Sequence, residues 1–348
     1  MLFVLISAGK NTCRNLDNVD NLELSCRLWY NNAEHKKSLG GRIMRKEPIR
    51  HHYIPQFILR NFASDNDRRL TYYFDQETGN VSEREIRELF MGRYLYRDDI
   101  NHSDKPLQIE YDLADYEREI AELIKAKFLD KRKIVLTEEE DSAIKLFFAI
   151  MSFRNINAKE KFSNQASKEV KDFYKYFQEN KDLEDFWKRN LGHLVKCRSM
   201  RNVIDHPQID EPIKMFMLRD TFALVGRDII VVEPKEGDGF ILGDCYPLVV
   251  TGAPISLPMY DICPIAPNRA IMFASVGVAG TPRDVLVLRP GVFDRPVFDE
   301  QGNCTIVTKR LHLDEVQYIN REIEKNSSRG FIFSKLKQRE FYNHSTNA

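Results

Sequence analysis

The sequence has no apolar run near the ~18 to 20 residues needed to span a bilayer, which excludes a helical integral membrane protein. Nor does it have a charge excess of either sign. Its 52 Lys and Arg balance 52 Asp and Glu, so bulk electrostatic binding of nucleic acid is excluded and only a local basic patch remains open. Paired cysteines are missing too. Cys13, Cys26, Cys197, Cys245, Cys263 and Cys304 form no C-x-x-C and are widely scattered, which fits neither a zinc ribbon nor a compact disulfide framework. They read as reduced thiols in a cytoplasmic protein. Also absent are G-x-x-x-x-G-K-[ST], G-x-G-x-x-G after a strand, H-E-x-x-H and G-x-S-x-G, which removes the best-defined nucleotide, metalloprotease and serine-hydrolase signatures.

What the sequence does contain is ample apolar surface. Hydrophobic residues make up 43%, with 22 Phe and 14 Tyr, enough to exclude low-complexity disorder. The opening MLFVLISAGKNTC has no Lys or Arg ahead of its short apolar run, and Ala8-Gly9-Lys10 is a poor cleavage context, so it does not read as a secretion signal. Asn-rich, aperiodic sequence follows, and ordered patterning starts at Met44. Residues 1–43 therefore read as a poorly ordered N-terminal extension, and 44–348 as a single domain.

Along that domain, His52-Tyr53-Ile54-Pro55 is extended, because a residue before proline avoids the helical region. Gln56 to Phe62 reads as one or two helical turns, and Leu70 to Phe74 as a strand. Ser82 to Glu85 has the spacing of a capping box and predicts a helix start. Asp112 to Arg132 carries an apolar stripe through Tyr116, Ile120, Leu123, Ile124 and Phe128. Thr137-Glu138-Glu139-Glu140 is a second capping box, and the helix behind it is apolar nearly all round, which predicts a buried central helix. Lys-rich polar segments follow to Lys196. Lys159 to Asn180 reads as a solvated amphipathic helix, with nucleic-acid contact as the competing reading. From Thr221 short apolar runs separated by Gly and Pro predict strands of one sheet, then a helix over Asp314 to Lys325 and a closing strand before Ser334. The expected fold is α+β: a central helical layer on a mixed or antiparallel sheet built mainly from the C-terminal half.

His52-Tyr53-Ile54-Pro55-Gln56-Phe57-Ile58-Leu59-Arg60-Asn61-Phe62 resembles the H-Y-x-P-x-F-x-L-R-x-F opening of a bacterial domain-of-unknown-function family, number 4238. Further segments are similar in the same order: the acidic helix with Glu117, Phe153-Arg154, Phe240 to Pro247 with Asp244, Ile262 to Pro267, and Val316 to Ser334 with Asn320 and Arg329. At Gly243 this chain departs from the family's hydroxyl residue, and the Cys245-Tyr246 stretch is one residue longer. The resemblance covers about Arg50 to Ser334 and implies a shared fold; it brings no established activity.

Four residues are candidates for catalysis. His52 offers an imidazole fixed by the following Tyr-Ile-Pro, as acid, base or ligand, or as a staple on a backbone carbonyl. His51 points the opposite way in an extended chain, which argues against a two-histidine metal site. Asp244 ends an apolar strand, where a carboxylate either faces a cleft or caps the strand exit. Arg154 closes an apolar helix, so it pairs with a buried carboxylate, Glu117 or Asp244, or awaits an anion such as phosphate. Arg60, Asn320 and Arg329 are candidates for ligand contact, with capping or bracing as the alternative for the last two. The expectation is a nuclease or other phosphodiesterase acting on nucleic acid or a nucleotide. In it His52 is the acid/base, Arg154 stabilises the anion, and Glu117 with Asp244 holds a divalent metal or orients His52. The alternative is a non-catalytic binding or interaction protein in which these residues brace the fold.

Overall fold

Strand β6 (Arg227–Pro234) runs Ile229-Ile230-Val231-Val232 without alternation, and all four side chains are buried. A strand reads that way when both of its faces are covered. The computed structural model describes residues 48–64, 67–155, 183–211, 213–214, 217, 227–237, 239–252, 257–275 and 288–335. In it β6 lies second in a five-stranded sheet ordered β13-β6-β10-β9-β8. The other strands of that sheet are β8 (Leu248–Gly252), β9 (Leu257–Ala266), β10 (Arg269–Ser275) and β13 (Lys309–Leu311), of which β10 and β13 flank β6. β13 runs parallel to β6, and the other pairs are antiparallel.

This sheet separates two cores. Ile229, Val231, Ile271 and Phe273 belong to one, where helix α3 (Glu138–Arg154) brings the Phe148 ring to 5.4 Å from that of Phe273. Ile230, Val232, Ala270 and Met272 belong to the other, with helix α6 (Leu313–Asn326) and with Phe331 and Phe333 of β14 (Gly330–Phe333).

Helix α3 opens on the expected capping box: Glu140 N donates to Thr137 Oγ1 at 3.2 Å, and Thr137 N donates to Glu140 Oε2 at 2.9 Å. From Ile144 to Met151 it is buried on every side. Helix α2 (Gln108–Lys127) joins the same core through Ile109, Leu113, Tyr116, Ile120 and Ile124, as does α4 (Leu183–Leu194) with Trp187. Helix α2 starts and ends earlier than the predicted Asp112 to Arg132, and Lys133–Leu136 then forms strand β5. Short helices α1 (Gln56–Arg60) and α5 (Met200–Asp205) are also present.

Three smaller sheets stand beside the five-stranded one, where a single sheet was expected. β14 lies between β7 (Leu242–Gly243) and β2 (Leu70–Asp75), with β3 (Val81–Glu85) beyond β2. β5 pairs with β12 (Cys304–Val307), which pairs with β11 (Val297–Phe298). β1 (Arg50–His52) pairs with β4 (Met91–Arg93). The predicted helix start at Ser82 is thus corrected to a strand. Gly79, at φ +67°, closes a turn whose N–H groups at Glu77 and Thr78 are capped by Asp75, and Ser82 then registers with Tyr73. Pairing with the aromatic strand β2 outweighs a local capping pattern.

The result is an α+β fold. Among the described residues no helix is long and apolar enough to cross a membrane. The expected extension over 1–43, the Lys159 to Asn180 segment, and the strands predicted at 222–225 and 285–287 lie outside the described residues.

Candidate functional site

Arg154 is the last residue of α3 and is 1% exposed. Helix ends leave carbonyls without partners, and here side chains meet them: Trp187 Nε1 donates to the Phe153 carbonyl at 3.0 Å, and the Tyr96 hydroxyl lies 3.2 Å from the Arg154 carbonyl. That anchoring turns the Arg154 guanidinium into the space between α2 and β1. Its Nη1 donates to Glu117 Oε1 at 2.6 Å, its Nη2 donates to the His52 carbonyl, and its carbon lies 5.5 Å from the Tyr96 ring centre. Of the two partners proposed for Arg154, the structure supplies Glu117. Burial opposes the guanidinium charge, but Tyr96, Glu117 and Glu110 outweigh it and raise the Arg154 pKa. Its Nε is buried and has no hydrogen-bond partner.

His52 joins this group through its backbone, while its ring faces α1. Arg60 Nη2 donates to Gln56 Oε1 at 2.7 Å, which leaves the Gln56 amino group 3.2 Å from His52 Nδ1. Nδ1 is therefore the acceptor, and in the neutral ring the proton sits on Nε2. Burial first, then the charges of Arg154, Arg60 and Arg50, push the His52 pKa down to about 4, against the pull of the Arg87 carbonyl. At neutral pH this imidazole is uncharged.

Two residues outside the expected set complete the cluster. Glu110 lies two turns before Glu117, so both carboxyls stand on one face of α2 beside its buried stripe. Its Oε2 is 3.8 Å from His51 Nδ1. His51 is fully buried, stacked on Tyr96, and satisfied at both nitrogens: Nε2 lies 3.1 Å from the Pro48 carbonyl, and Nδ1 accepts from Tyr96 N at 2.9 Å. Burial lowers the His51 pKa, so it offers Glu110 no countercharge. Burial, reinforced by Glu117 and opposed by Arg154, pushes the Glu110 carboxyl up to about 8. The sequence signal for Glu110 was its seven-residue spacing from Glu117, next to Ile109 as Glu117 is next to Tyr116.

The remaining candidates stand apart from this group. Both oxygens of the Asp244 carboxylate are engaged within a loop, accepting from Ser328 N, Ser328 Oγ and Arg329 N, each at 2.8 Å. The Asp244 carbonyl lies 3.3 Å from Nδ2 of Asn155, the residue after Arg154. Neither orienting His52 nor holding a metal with Glu117 suits a carboxylate tied this way. Asn320 accepts from Ile241 N at 3.1 Å and donates to the Gly239 carbonyl at 2.9 Å, bracing the entry to β7. Arg329 is exposed, and its carbonyl accepts from the Tyr73 hydroxyl at 2.8 Å. Among the described residues no three His, Cys, Asp or Glu side chains are placed to hold a metal ion.

No curated protein and no solved structure matches the chain. A family model described as a protein of unknown function, DUF4238, matches residues 50–337, which run from β1 past the end of β14 and include every residue of the Arg154 cluster, and the chain belongs to that family.

Proposed function

We propose that the chain is a hydrolase of phosphodiesters, acting at the Arg154 cluster on nucleic acid or a nucleotide. The observation that carries this reading is the buried Arg154 Nε–H with no acceptor, on a guanidinium whose two other nitrogens are engaged. A buried donor without a partner is costly, and an anionic oxygen is the partner that suits a guanidinium best. Nearby cations favour the same ligand. Arg50 and Arg60 are exposed and act on the His52 ring, and Arg93 stands opposite Arg50 across the β1–β4 pair. Such exposed arginines are suited to a phosphate backbone.

In this reading Arg154 faces the phosphate, and Glu117, about one-fifth exposed, links the buried cation to solvent. His52 is a positioning residue: its carbonyl holds Arg154, and its uncharged ring is a weak acid at neutral pH. A second reading, a non-catalytic binding protein, is favoured by the full engagement of Asp244 and Asn320 within the fold.

The test is to incubate the full chain with bis(p-nitrophenyl) phosphate and with short DNA and RNA oligonucleotides, and to melt it with and without the same oligonucleotides. Turnover in the parent that is lost in Arg154→Lys, which keeps a charge but not the fork, supports the hydrolase. Oligonucleotide-dependent stabilisation without turnover supports the binding protein. Absence of both turnover and oligonucleotide-dependent stabilisation would exclude phosphate as the ligand of this site.

A further inference from the structure

We propose that Glu110 supplies the proton taken up by the leaving oxygen, an assignment that rests on the phosphodiesterase reading above. The geometry gives Glu110 no cation of its own. The groups facing it are Arg154 from α3, Glu117 from α2, His51 from β1 and Tyr96. Arg154 is committed to Glu117 and to the His52 carbonyl. His51 has both nitrogens engaged and is held neutral by burial. One cation thus serves one carboxylate, and the second carboxyl, burdened by its buried setting, keeps its proton. The pKa near 8 agrees with that assignment. The Glu110 side chain is nevertheless one-fifth exposed, so a substrate oxygen and solvent protons have access to it. A carboxylic acid still protonated at neutral pH, next to a guanidinium with a free donor, is the pairing that leaving-group protonation needs.

A water oxygen bonds to phosphorus as the P–O bond to the leaving group breaks. The electron pair of that bond goes to the leaving oxygen, which takes the Glu110 proton and departs as an alcohol. The proton lost by the water passes to the Glu117 carboxylate and returns through solvent to Glu110. The products are an alcohol and a phosphomonoester.

The experiment compares two diesters, a dinucleotide with an alcohol leaving group and bis(p-nitrophenyl) phosphate, whose nitrophenolate departs without a proton. Glu110→Gln is expected to lower the dinucleotide-to-nitrophenyl rate ratio about 100-fold or more, with Glu110→Asp recovering part of it. Parent turnover of the dinucleotide is also expected to fall as pH rises past about 8, where Glu110 loses its proton, and the Gln variant should lack that limb. Melting curves establish that each variant is folded. If the variants and parent show the same rate ratio, or if Glu110→Gln retains the alkaline limb, the assignment is overturned while the hydrolase reading stands. A parent inactive on both diesters overturns the reading and the assignment together.

Discussion

Truncating Arg154 would remove in one step the partner of Glu117 and the donor to the His52 carbonyl. Breaking a buried pair this way costs ~3 to 5 kcal/mol, and because Glu117 is partly solvated the lower end applies. Chemical denaturation of Arg154→Ala should show a loss of about 3 kcal/mol, with Arg154→Lys intermediate because a single ammonium cannot bridge both acceptors. A loss below about 1 kcal/mol would place the pair among ordinary surface ion pairs. Arg154 was legible from sequence because a charge closing an apolar helix requires a partner. Glu110 offers in sequence only its seven-residue spacing from Glu117, because what distinguishes it from other helix glutamates is the burial that tertiary packing imposes. The His52 ring reads in sequence as a candidate acid/base, and what alters this is its burial in the fold, with the charges of Arg154, Arg60 and Arg50 acting the same way.

At the scale of elements, β14 depends on a glycine. Gly330 has φ +153°, and a Cβ there would lie 2.1 Å from the Phe74 carbonyl oxygen. Gly330→Ala therefore has to displace β2 or β14, and a loss of about 3 kcal/mol or more is expected in urea denaturation, since steric conflict adds to backbone strain. A near-neutral result would mean that the two strands are not in the register that pairs Gly330 with Asp75. Elements specified by adjacent residues were the ones visible in sequence, as with the Thr137 capping box and the apolar α3. Strands β4, β5, β11 and β12 were missed for a physical reason. Each has only two to four residues, and β5 exists because Leu136 meets Cys304, far along the chain.

For the whole molecule, one sheet serves two cores, so damage to either face should spread to both. Met272 is fully buried on the α6 side of β10, while Phe273 beside it faces α3. Met272→Ala should cost ~2 to 5 kcal/mol. Tryptophan fluorescence, read from Trp187 in a Trp29→Phe background, reports on the opposite core, and it should shift together with far-ultraviolet circular dichroism in one transition. Two separated transitions would mean that the cores unfold independently. The burial of β6 on both faces was legible as an unbroken apolar run, but its central place between two cores was not, because the partner strand β13 comes from much later in the chain.

The protonation of Glu110 ties these scales together, because packing of the whole fold sets the state of one carboxyl. Following its side-chain carbon resonance from acid to alkaline pH tests this most directly. A midpoint near 8, far above the ordinary value of 4.5, is the expected result. The folded state then holds a proton that the unfolded chain has released. The stability of the parent relative to Glu110→Gln should therefore be greatest below about 4.5, fall as pH rises toward 8, and level off beyond it. A midpoint near 4.5, with a stability difference that stays flat across that interval, would contradict the account.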